Sequence, residues 1–361
     1  MRKRMFFLIA VILILLTMVN LNKVDVVGET FVLSGVNTKF FLYQPIRIIR
    51  VYRYDEIGQI IEYESDRDYK VDYINGTICR TKESSIPDYT DHNVVYNYDG
   101  TFSFSLEPRN PELNIEYQLL VDYTTVLFPW QIVKPKSGVD KTVRKLELGE
   151  DVKVLLCGDS IAAGAQTTGL YYFDDHFQST FLGYLDSFIE DHYGVNCDAV
   201  LFGEEGVSLQ FMMEHHYEIA EEEPDVVMIE FGMNDHIIDG AMNLQDGFKS
   251  NLTFCVENLQ SKDIEVILIG FFQQNDKWEK ENIEATQVYN ALIEEVAIAY
   301  EVPFIDIDKI WKSISSRKNM IEDMTSDYMH HPTDFGHKIY YSEIVPYFLN
   351  RNMRIIQNYV Y

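Results

Sequence analysis

The stretch Val152-Lys153-Val154-Leu155-Leu156-Cys157-Gly158-Asp159-Ser160 begins the part of the chain that decides the fold. Here an apolar run of strand length ends in a glycine followed by two polar residues. From this point onward such runs alternate with segments whose apolar residues fall three and four apart. That alternation is typical of β-strands connected by α-helices, and it predicts a parallel sheet.

The predicted sheet has five strands, and the connecting segments include helices around 181–189 and 288–296. We place the strands at 152–157, 198–202, 225–231, 265–271 and 303–307. Five such strands favour a flavodoxin-like α/β fold. In open sheets of this kind ligands bind outside the carboxyl ends of the strands. The loops that follow the strands are therefore where functional residues are expected.

The residues before this sheet have a different period. From about 31 to 133 apolar and polar residues alternate, and turn signals such as Asn75-Gly76 and Asp99-Gly100 separate the runs. Period two with short turns predicts antiparallel strands, and we expect a small, jelly-roll-like β-sandwich over residues 30–135. The polar stretch 136–150 is interpreted as a linker, and the α/β domain as residues 151–355.

The N-terminus has the pattern of an export segment. Met1-Arg2-Lys3-Arg4 is basic, and residues 5–19 are apolar except for Thr17. This predicts a signal peptide or an N-terminal membrane anchor in residues 1–22, and the sequence leaves both alternatives open. We expect the protein to be exported, either secreted or anchored at the outer face of the cytoplasmic membrane, with only this segment touching the membrane.

Charge and cysteine content exclude some classes of partner. The chain carries 57 acidic and 30 basic residues, a formal net charge of -27. Such a chain repels phosphate backbones, so nucleic acid is not an expected partner. The four cysteines are far apart and form no zinc-binding pattern with histidine, and we expect neither a metal nor a cofactor.

Residues suited to acyl transfer follow several of the predicted strands. Ser160 comes after the first strand, Gly206 after the second and Asn234 after the third, and an Asp/His segment that includes Asp327 precedes the C-terminal helix. Taken singly, each has an ordinary structural role, such as a helix N-cap or a turn residue. Their occurrence in this order, at the same edge of one sheet, favours a common catalytic site.

These segments resemble the four blocks of the SGNH, or GDSL-like, hydrolases, over about residues 152–350. The resemblance implies a three-layer α/β/α fold and ester hydrolysis through an acyl-enzyme, with Ser160 as the nucleophile. It also implies an oxyanion hole formed by the backbone N–H groups of Ser160 and Gly206 and by the side chain of Asn234. Asp159, Gly232 and Asp235 are expected to support these loops.

The resemblance departs from the family pattern at the base. The usual spacing is Asp-x-x-His-Pro, whereas His331, which precedes Pro332, lies four residues after Asp327 and His330 lies three after it. We favour His331, because His331-Pro332 and the step to Gly336 match the family block, and we keep His330 as the alternative base. Asp327 would orient the histidine.

The expected substrate rests on resemblance alone. A β-sandwich ahead of an SGNH domain is similar to two-domain carbohydrate O-acetylesterases, which implies removal of acetyl groups from a sugar or polysaccharide. One alternative is a lipase or thioesterase of the same family. Another is a non-catalytic, carbohydrate-binding surface protein.

Overall fold

The structure is a computed structural model that describes residues 23–92, 94, 96–103, 113–127, 133–175, 177–238, 245–279 and 283–350. The predicted signal peptide or anchor at 1–22 lies outside the described residues. Among the helices of the described ranges, none is both long enough and apolar enough to cross a membrane.

Two antiparallel sheets form the N-terminal region. Their strands are β1 (Lys23–Val32), β2 (Lys39–Phe40), β3 (Pro45–Tyr54), β4 (Ile60–Glu62), β5 (Tyr69–Asp72), β6 (Thr77–Arg80) and β7 (Gln118–Val126). One sheet has the order β1-β7-β3-β4 and the other β2-β6-β5. Phe41, next to β2, packs edge-on against Phe31 and Tyr123 of the larger sheet, with ring centroids 5.0 and 4.8 Å apart. This is a small β-rich region, and its description as a jelly-roll-like sandwich stays a prediction.

The predicted parallel sheet is confirmed. Its strands are β8 (Val152–Gly158), β9 (Cys197–Gly203), β10 (Val226–Glu230), β11 (Glu265–Ile269) and β12 (Phe304–Ile305). Their order is β12-β11-β10-β8-β9, the flavodoxin-like arrangement, so that β8 lies beside β10 and the chain reverses direction across the sheet at β8. Ser160 therefore follows the strand at which a ligand-binding crevice is expected.

Helices connect these strands, as a three-layer α/β/α fold requires. They are α1 (Asp140–Glu147), α2 (Thr168–Phe173), α3 (Phe181–Tyr193), α4 (Leu209–Glu214), α5 (His216–Glu221), α6 (Asp235–Ile238), α7 (Gln245–Ser261), α8 (Ile283–Ala299), α9 (Ile307–Ile314) and α10 (Asp334–Ile344). Thr180 begins α3, because its hydroxyl accepts the N–H of Gly183, and Gly194 ends it in the left-handed conformation. Both helices predicted from periodicity lie within α3 and α8.

The stretch 136–150, predicted to be a linker, contains helix α1. Val139, Thr142 and Leu146 are buried along one side of it, at a spacing that suits a helix. Its N-terminus is capped by a distant residue, because the carboxylate of Glu265 accepts the N–H groups of Lys141 at 2.9 Å and Thr142 at 2.8 Å. The sequence analysis did not predict this helix, because a cap supplied by a residue of β11 leaves no local signal in the sequence, and the division into domains stays a prediction.

The β-rich region and the parallel sheet share one hydrophobic core. A buried ion pair crosses the boundary: Nζ of Lys318 lies 2.9 Å from Oε1 of Glu29 and 2.8 Å from the carbonyl of Thr30. Both charged side chains are fully buried, and the ammonium group also lies 3.6 Å from the ring centroid of Phe31. A charge pair in such a place is tolerated because its hydrogen bonds are satisfied.

We predict that Lys318→Met destabilises the protein by about 3–5 kcal/mol, because it leaves Glu29 as an unpaired buried charge. The double variant Lys318→Met/Glu29→Gln should recover a large part of that loss. Urea denaturation followed by circular dichroism measures both free energies of unfolding. Equal destabilisation of the single and double variants would show that the pair does not act as a unit.

Candidate active site

Ser160 lies in the turn that follows β8, with only 5% of its surface exposed. The chain winds tightly here, because the N–H of Ala163 bonds to the carbonyl of Asp159 and that of Ala165 to the carbonyl of Ser160, both at 2.9 Å. The first helix after β8, α2, begins only at Thr168. Gly164, in the left-handed region at φ 77°, interrupts the winding.

His331 and Asp327 complete a chain of three side chains. Nε2 of His331 lies 2.9 Å from Oγ of Ser160, and Nδ1 of the same ring lies 2.7 Å from Oδ2 of Asp327. All three residues are buried. A serine, an imidazole and a carboxylate in this order can activate a hydroxyl as a nucleophile.

The electrostatics suit those positions. Burial alone would raise the pKa of Asp327, but the neighbouring His331 and the hydrogen bonds to the carboxylate outweigh it and lower the pKa to about 2. Burial alone would lower the pKa of His331, yet the charge and hydrogen bond of Asp327 outweigh it, so that this pKa is raised. Asp327 is therefore ionised near neutral pH, and it stabilises the imidazolium that forms when His331 accepts a proton.

The ring of His330 lies beside two other aromatic rings. Its ring centroid lies 5.2 Å from that of Trp278 and 4.2 Å from that of His331. Burial lowers the pKa of His330 to about 3, and the charge of His331 adds to the effect, so His330 is neutral at physiological pH. Of the two candidate bases, only His331 contacts Ser160, and the geometry therefore favours His331.

The loop that carries both residues wraps around the carboxylate of Asp327. Oδ1 accepts the backbone N–H groups of Met329, His330 and His331 at 2.8, 2.9 and 3.1 Å. Tyr328 has φ 64°, a left-handed conformation that is strained for an aromatic residue. That turn brings three successive N–H groups onto one oxygen, and it accommodates the step of four residues between Asp327 and its histidine.

The predicted oxyanion residues lie on the loops beside Ser160. Gly206 has φ 78°, and a Cβ at this position would meet open space, so the backbone conformation rather than crowding requires glycine. Nδ2 of Asn234 donates to the carbonyl of Val207 at 2.9 Å and lies 3.4 Å from Oδ2 of Asp159. Both residues are placed at the expected strand ends, and their role as oxyanion donors stays a prediction.

The three residues expected to give support make distinct contacts. Oδ1 of Asp159 accepts the N–H of Ile161 at 2.9 Å. Asp235 reaches across to the loop after β9, where its carboxylate accepts the N–H of Leu209 at 3.0 Å. Gly232 has φ 128°, and a side chain there would lie 2.3 Å from the ring of Phe271.

Glu230, which sequence reasoning missed, lies at the end of β10 directly beneath the serine turn. Glu230 is fully buried and pairs in the sheet with Gly158. The two residues are in close contact: if position 158 carried a side chain, its Cβ would lie 3.2 Å from Oε2 of Glu230. Burial and the charge of nearby Asp159 hold the pKa of Glu230 well above its usual range, so its carboxyl group is protonated and uncharged near neutral pH. The sequence did contain one indication of Glu230, because it is the only acidic residue in the otherwise apolar strand Val226–Glu230.

The N-terminal region holds the catalytic loop from behind, which sequence reasoning also missed. Nδ2 of Asn114 donates to the carbonyls of Ile321 at 2.9 Å and Thr325 at 3.1 Å. Nε2 of Gln118 donates to Oγ of Ser326 at 3.1 Å, one residue before Asp327. These partners are more than 200 positions apart in the chain, so no local pattern in the sequence could reveal them.

Asp327, His330 and His331 also form a group whose potential metal ligand atoms lie within 4.8 Å of one another. Both ring nitrogens of His331 already have partners, Ser160 and Asp327. The group thus consists of the proposed catalytic pair, Asp327 and His331, and the adjacent His330. The expectation of a site without a metal stays a prediction.

A parallel sheet with a Ser-His-Asp array at the carboxyl ends of its strands defines a serine-hydrolase type of site. The chain belongs to the GDSL-like lipase/acylhydrolase family, whose model matches residues 156–339. No curated protein matches the chain.

Solved structures similar to the chain cover little more than half of it. The lipase/acylhydrolase from Enterococcus faecalis is 22% identical over 54% of this chain and 93% of its own, with a TM-score of 0.45. A catalytic mutant of an acetylxylan esterase from Geobacillus stearothermophilus is 16% identical over 55% and 94%, with a TM-score of 0.44. TesA is 19% identical over 54% and 97%, with a TM-score of 0.43.

The raised pKa of His331 predicts the pH dependence of turnover. A general base must be neutral, so kcat/KM should fall as the pH drops through this pKa, with a midpoint above the ordinary histidine value of about 6.5. Asp327→Asn removes the charge that raises the pKa, so the acidic limb should move to lower pH, while kcat falls by about 10⁴. Rate profiles of both proteins on p-nitrophenyl acetate measure this, and an unshifted limb would show that Asp327 does not control the base.

Proposed function

We propose that the protein is a serine esterase that works through an acyl-enzyme, and the contact of Nε2 of His331 with Oγ of Ser160 at 2.9 Å carries the proposal. His331 takes the hydroxyl proton of Ser160 while Oγ attacks the ester carbonyl. The carbonyl π bond breaks, and its electron pair moves to the oxygen. The N–H groups of Ser160 and Gly206 and the amide of Asn234 then hold that oxyanion.

The second half of the cycle follows from the same contacts. His331 returns its proton to the alkoxide as the bond to the alcohol breaks, which leaves the acyl group on Ser160. Water enters, gives a proton to His331 and attacks the acyl carbonyl. Ser160 leaves with the proton, and the carboxylic acid is released. Asp327 keeps its charge throughout and stabilises the imidazolium.

We predict that Ser160→Ala and His331→Ala each lower kcat on p-nitrophenyl acetate by about 10⁴ to 10⁶. His330→Ala is the matched control, because this histidine is the immediate neighbour and does not contact the serine. It should stay within about tenfold of the parent. A fluorophosphonate probe should label the parent protein and not Ser160→Ala.

Three outcomes would contradict the assignment. Full activity of Ser160→Ala would remove the nucleophile, and loss of turnover in His330→Ala alone would make His330 the base. Absence of fluorophosphonate labelling in folded protein would favour the non-catalytic, carbohydrate-binding alternative.

The proposed substrate is an O-acetylated carbohydrate. Since the leaving alcohol receives its proton from His331, the alcohol portion of the ester must lie on the His331 side of Ser160. Aromatic residues lie on that side, among them Trp278 next to His330 and Phe102 in the same cluster, and they support a sugar as the alcohol portion. An acetyl group is small, so the remaining part of the site needs little depth on the acyl side.

A second candidate, an esterase for longer acyl chains, is favoured by one observation. A groove of about 630 Å³ runs beside the edge strand β9 and is lined by Ala163, Phe177, Val200 and Glu205, among others. Ala163 belongs to the serine turn, and the charge of Glu205 contributes to the raised pKa of His331, so this groove opens near the catalytic residues. Its lining of alkyl and aromatic groups suits a fatty acyl chain.

Chain-length preference separates these two candidates. If the groove holds the acyl chain, the parent should prefer p-nitrophenyl octanoate to the acetate, and Val200→Trp, which fills the groove, should lower kcat/KM for octanoate by at least about tenfold while sparing acetate. Ile298→Trp, on the exposed side of α8, is the control. A preference for acetate that Val200→Trp leaves unchanged would exclude the long-chain candidate.

A further inference from the structure

A second hydrophobic cluster, separate from the main core, lies next to the catalytic histidine. Its buried members are Phe102, Trp278 and Met329. Phe102 comes from the N-terminal region and is fixed to the other part of the chain by backbone bonds, since its N–H donates to the carbonyl of Lys277 at 3.0 Å and its carbonyl accepts the N–H of Glu279 at 3.1 Å. The ring of Trp278 contacts that of His330, and Met329 precedes His330 in the chain. The cluster therefore forms a floor beside the loop that carries His331.

Two tyrosines, Tyr96 and Tyr328, pack on this floor, and a third, Tyr98, is close to Tyr96 in the chain. The ring of Tyr96 packs edge-on against Phe102, and the hydroxyl groups of Tyr96 and Tyr328 are 3.2 Å apart. Tyr98 lies two residues further on, at the tip of the turn that the bond from the N–H of Asn97 to the carbonyl of Thr101 closes, and its side chain is fully exposed. We call Tyr96, Tyr98 and Tyr328 the tyrosine wall.

Tyr328 links this wall to the catalytic residues. It directly follows Asp327, and its ring lies 5.5 Å from that of Phe102. The left-handed backbone at φ 64° would suit glycine or asparagine without strain. Tyrosine at a strained backbone position next to Asp327 suggests that its side chain has a function, such as contact with substrate.

The chemistry of the reaction decides which part of a substrate meets the wall. The alcohol oxygen leaves toward His331, as the proton transfer requires. The wall is connected to His331 through Trp278 and His330, whose ring centroids are 5.2 Å apart, and through His330 and His331, at 4.2 Å. The wall is therefore on the alcohol side of the ester.

We propose that the tyrosine wall is a binding subsite for a sugar ring of the substrate's alcohol portion. Tyr98 and Tyr96 supply aromatic faces for the C–H face of the ring, and their hydroxyl groups bond to sugar hydroxyls. This inference deepens the proposed esterase function and rests on it for the orientation of the ester.

Polar groups around the wall fit a neutral, hydroxyl-rich ligand. Asn97 and Glu279 are exposed neighbours, with Nδ2 of Asn97 3.5 Å from Oε2 of Glu279. Nζ of Lys277 lies 5.7 Å from the ring centroid of Tyr96. A mixture of one amide, one carboxylate and one ammonium group offers both donors and acceptors, as recognition of hydroxyl groups requires.

A binding experiment tests the subsite without catalysis. Ser160→Ala protein is titrated with neutral xylo-, cello-, manno- and chito-oligosaccharides, and binding is followed by calorimetry and by tryptophan fluorescence, because Trp278 lies in the floor. We expect at least one series to bind, and Tyr98→Ala and Tyr96→Ala to weaken it by about 2- to 10-fold each. Tyr73→Ala, an exposed tyrosine on the β-rich region, is the control and should leave affinity unchanged.

Kinetics of the catalytically intact protein give the second arm. For an acetylated oligosaccharide of the series that binds, Tyr98→Ala should raise KM by the factor by which it weakens binding, with kcat unchanged. Hydrolysis of p-nitrophenyl acetate, which has no sugar ring, should not change. Tyr98 has no contacts that its loss could disturb in the floor, so it remains informative if Tyr96→Ala folds poorly.

The outcomes separate this inference from the esterase proposal. No binding of any oligosaccharide, or binding that the tyrosine substitutions do not weaken, overturns the subsite even if p-nitrophenyl acetate is hydrolysed. Oligosaccharide binding that depends on Tyr98, with no ester hydrolysis by the parent, supports the subsite and refutes the esterase.

Discussion

The loop from Met324 to Pro332 carries Asp327 and His331, two of the three side chains proposed for catalysis, and its shape depends on hydrogen bonds that come from outside it. Asn114 is central to these bonds. Its amide donates to the carbonyl of Thr325 in the loop and to that of Ile321 just before it, and its Oδ1 accepts the hydroxyl of Tyr89 at 2.7 Å. Buried carbonyl groups need such partners, because leaving one unpaired costs about 1–3 kcal/mol. The N-terminal region therefore acts as a support for the catalytic loop.

This support explains how a buried acid and a buried base coexist beside Ser160. Asp327 remains charged because His331 lies beside it and because the loop is folded tightly enough to aim three N–H groups at one oxygen. If the loop relaxed, Asp327 would lose these donors and His331 would lose the charge that raises its pKa. Beneath the serine, burial and the charge of Asp159 hold the pKa of Glu230 well above its usual range, so Glu230 adds no second buried negative charge to the site.

Much of the fold could be predicted because its signals are local. The five parallel strands were located to within two residues, since an apolar run bounded by loops is readable at each position. Ser160, Asn234, Asp327 and His331 could be singled out because their loops follow strands that meet at one edge. The choice of His331 over His330 could only be favoured, because adjacent residues on a loop point in different directions and the direction depends on the φ of Tyr328.

Other features depend on distant partners and left no such signal. Helix α1 was interpreted as a linker because the carboxylate that caps it comes from Glu265, on a strand more than a hundred residues later. The interactions of Asn114 and Gln118 with the catalytic loop join the two ends of the chain in the same way. The division into a β-sandwich and a separate hydrolase domain was based on the change in the spacing of apolar residues. That spacing indicates secondary structure but carries no information about contacts between regions.

These contacts change the role that the β-rich region is expected to have. A binding module that worked independently would meet the hydrolase part through a small, polar interface. Here the regions share one core, a buried ion pair crosses the boundary, and the segment around Phe102 is bonded to residues 277 and 279. Since that segment also carries Tyr96 and Tyr98, its attachment to residues 277 and 279 also holds the proposed sugar subsite in place. The proposed base and the proposed subsite thus both depend on contacts between the β-rich region and the rest of the chain.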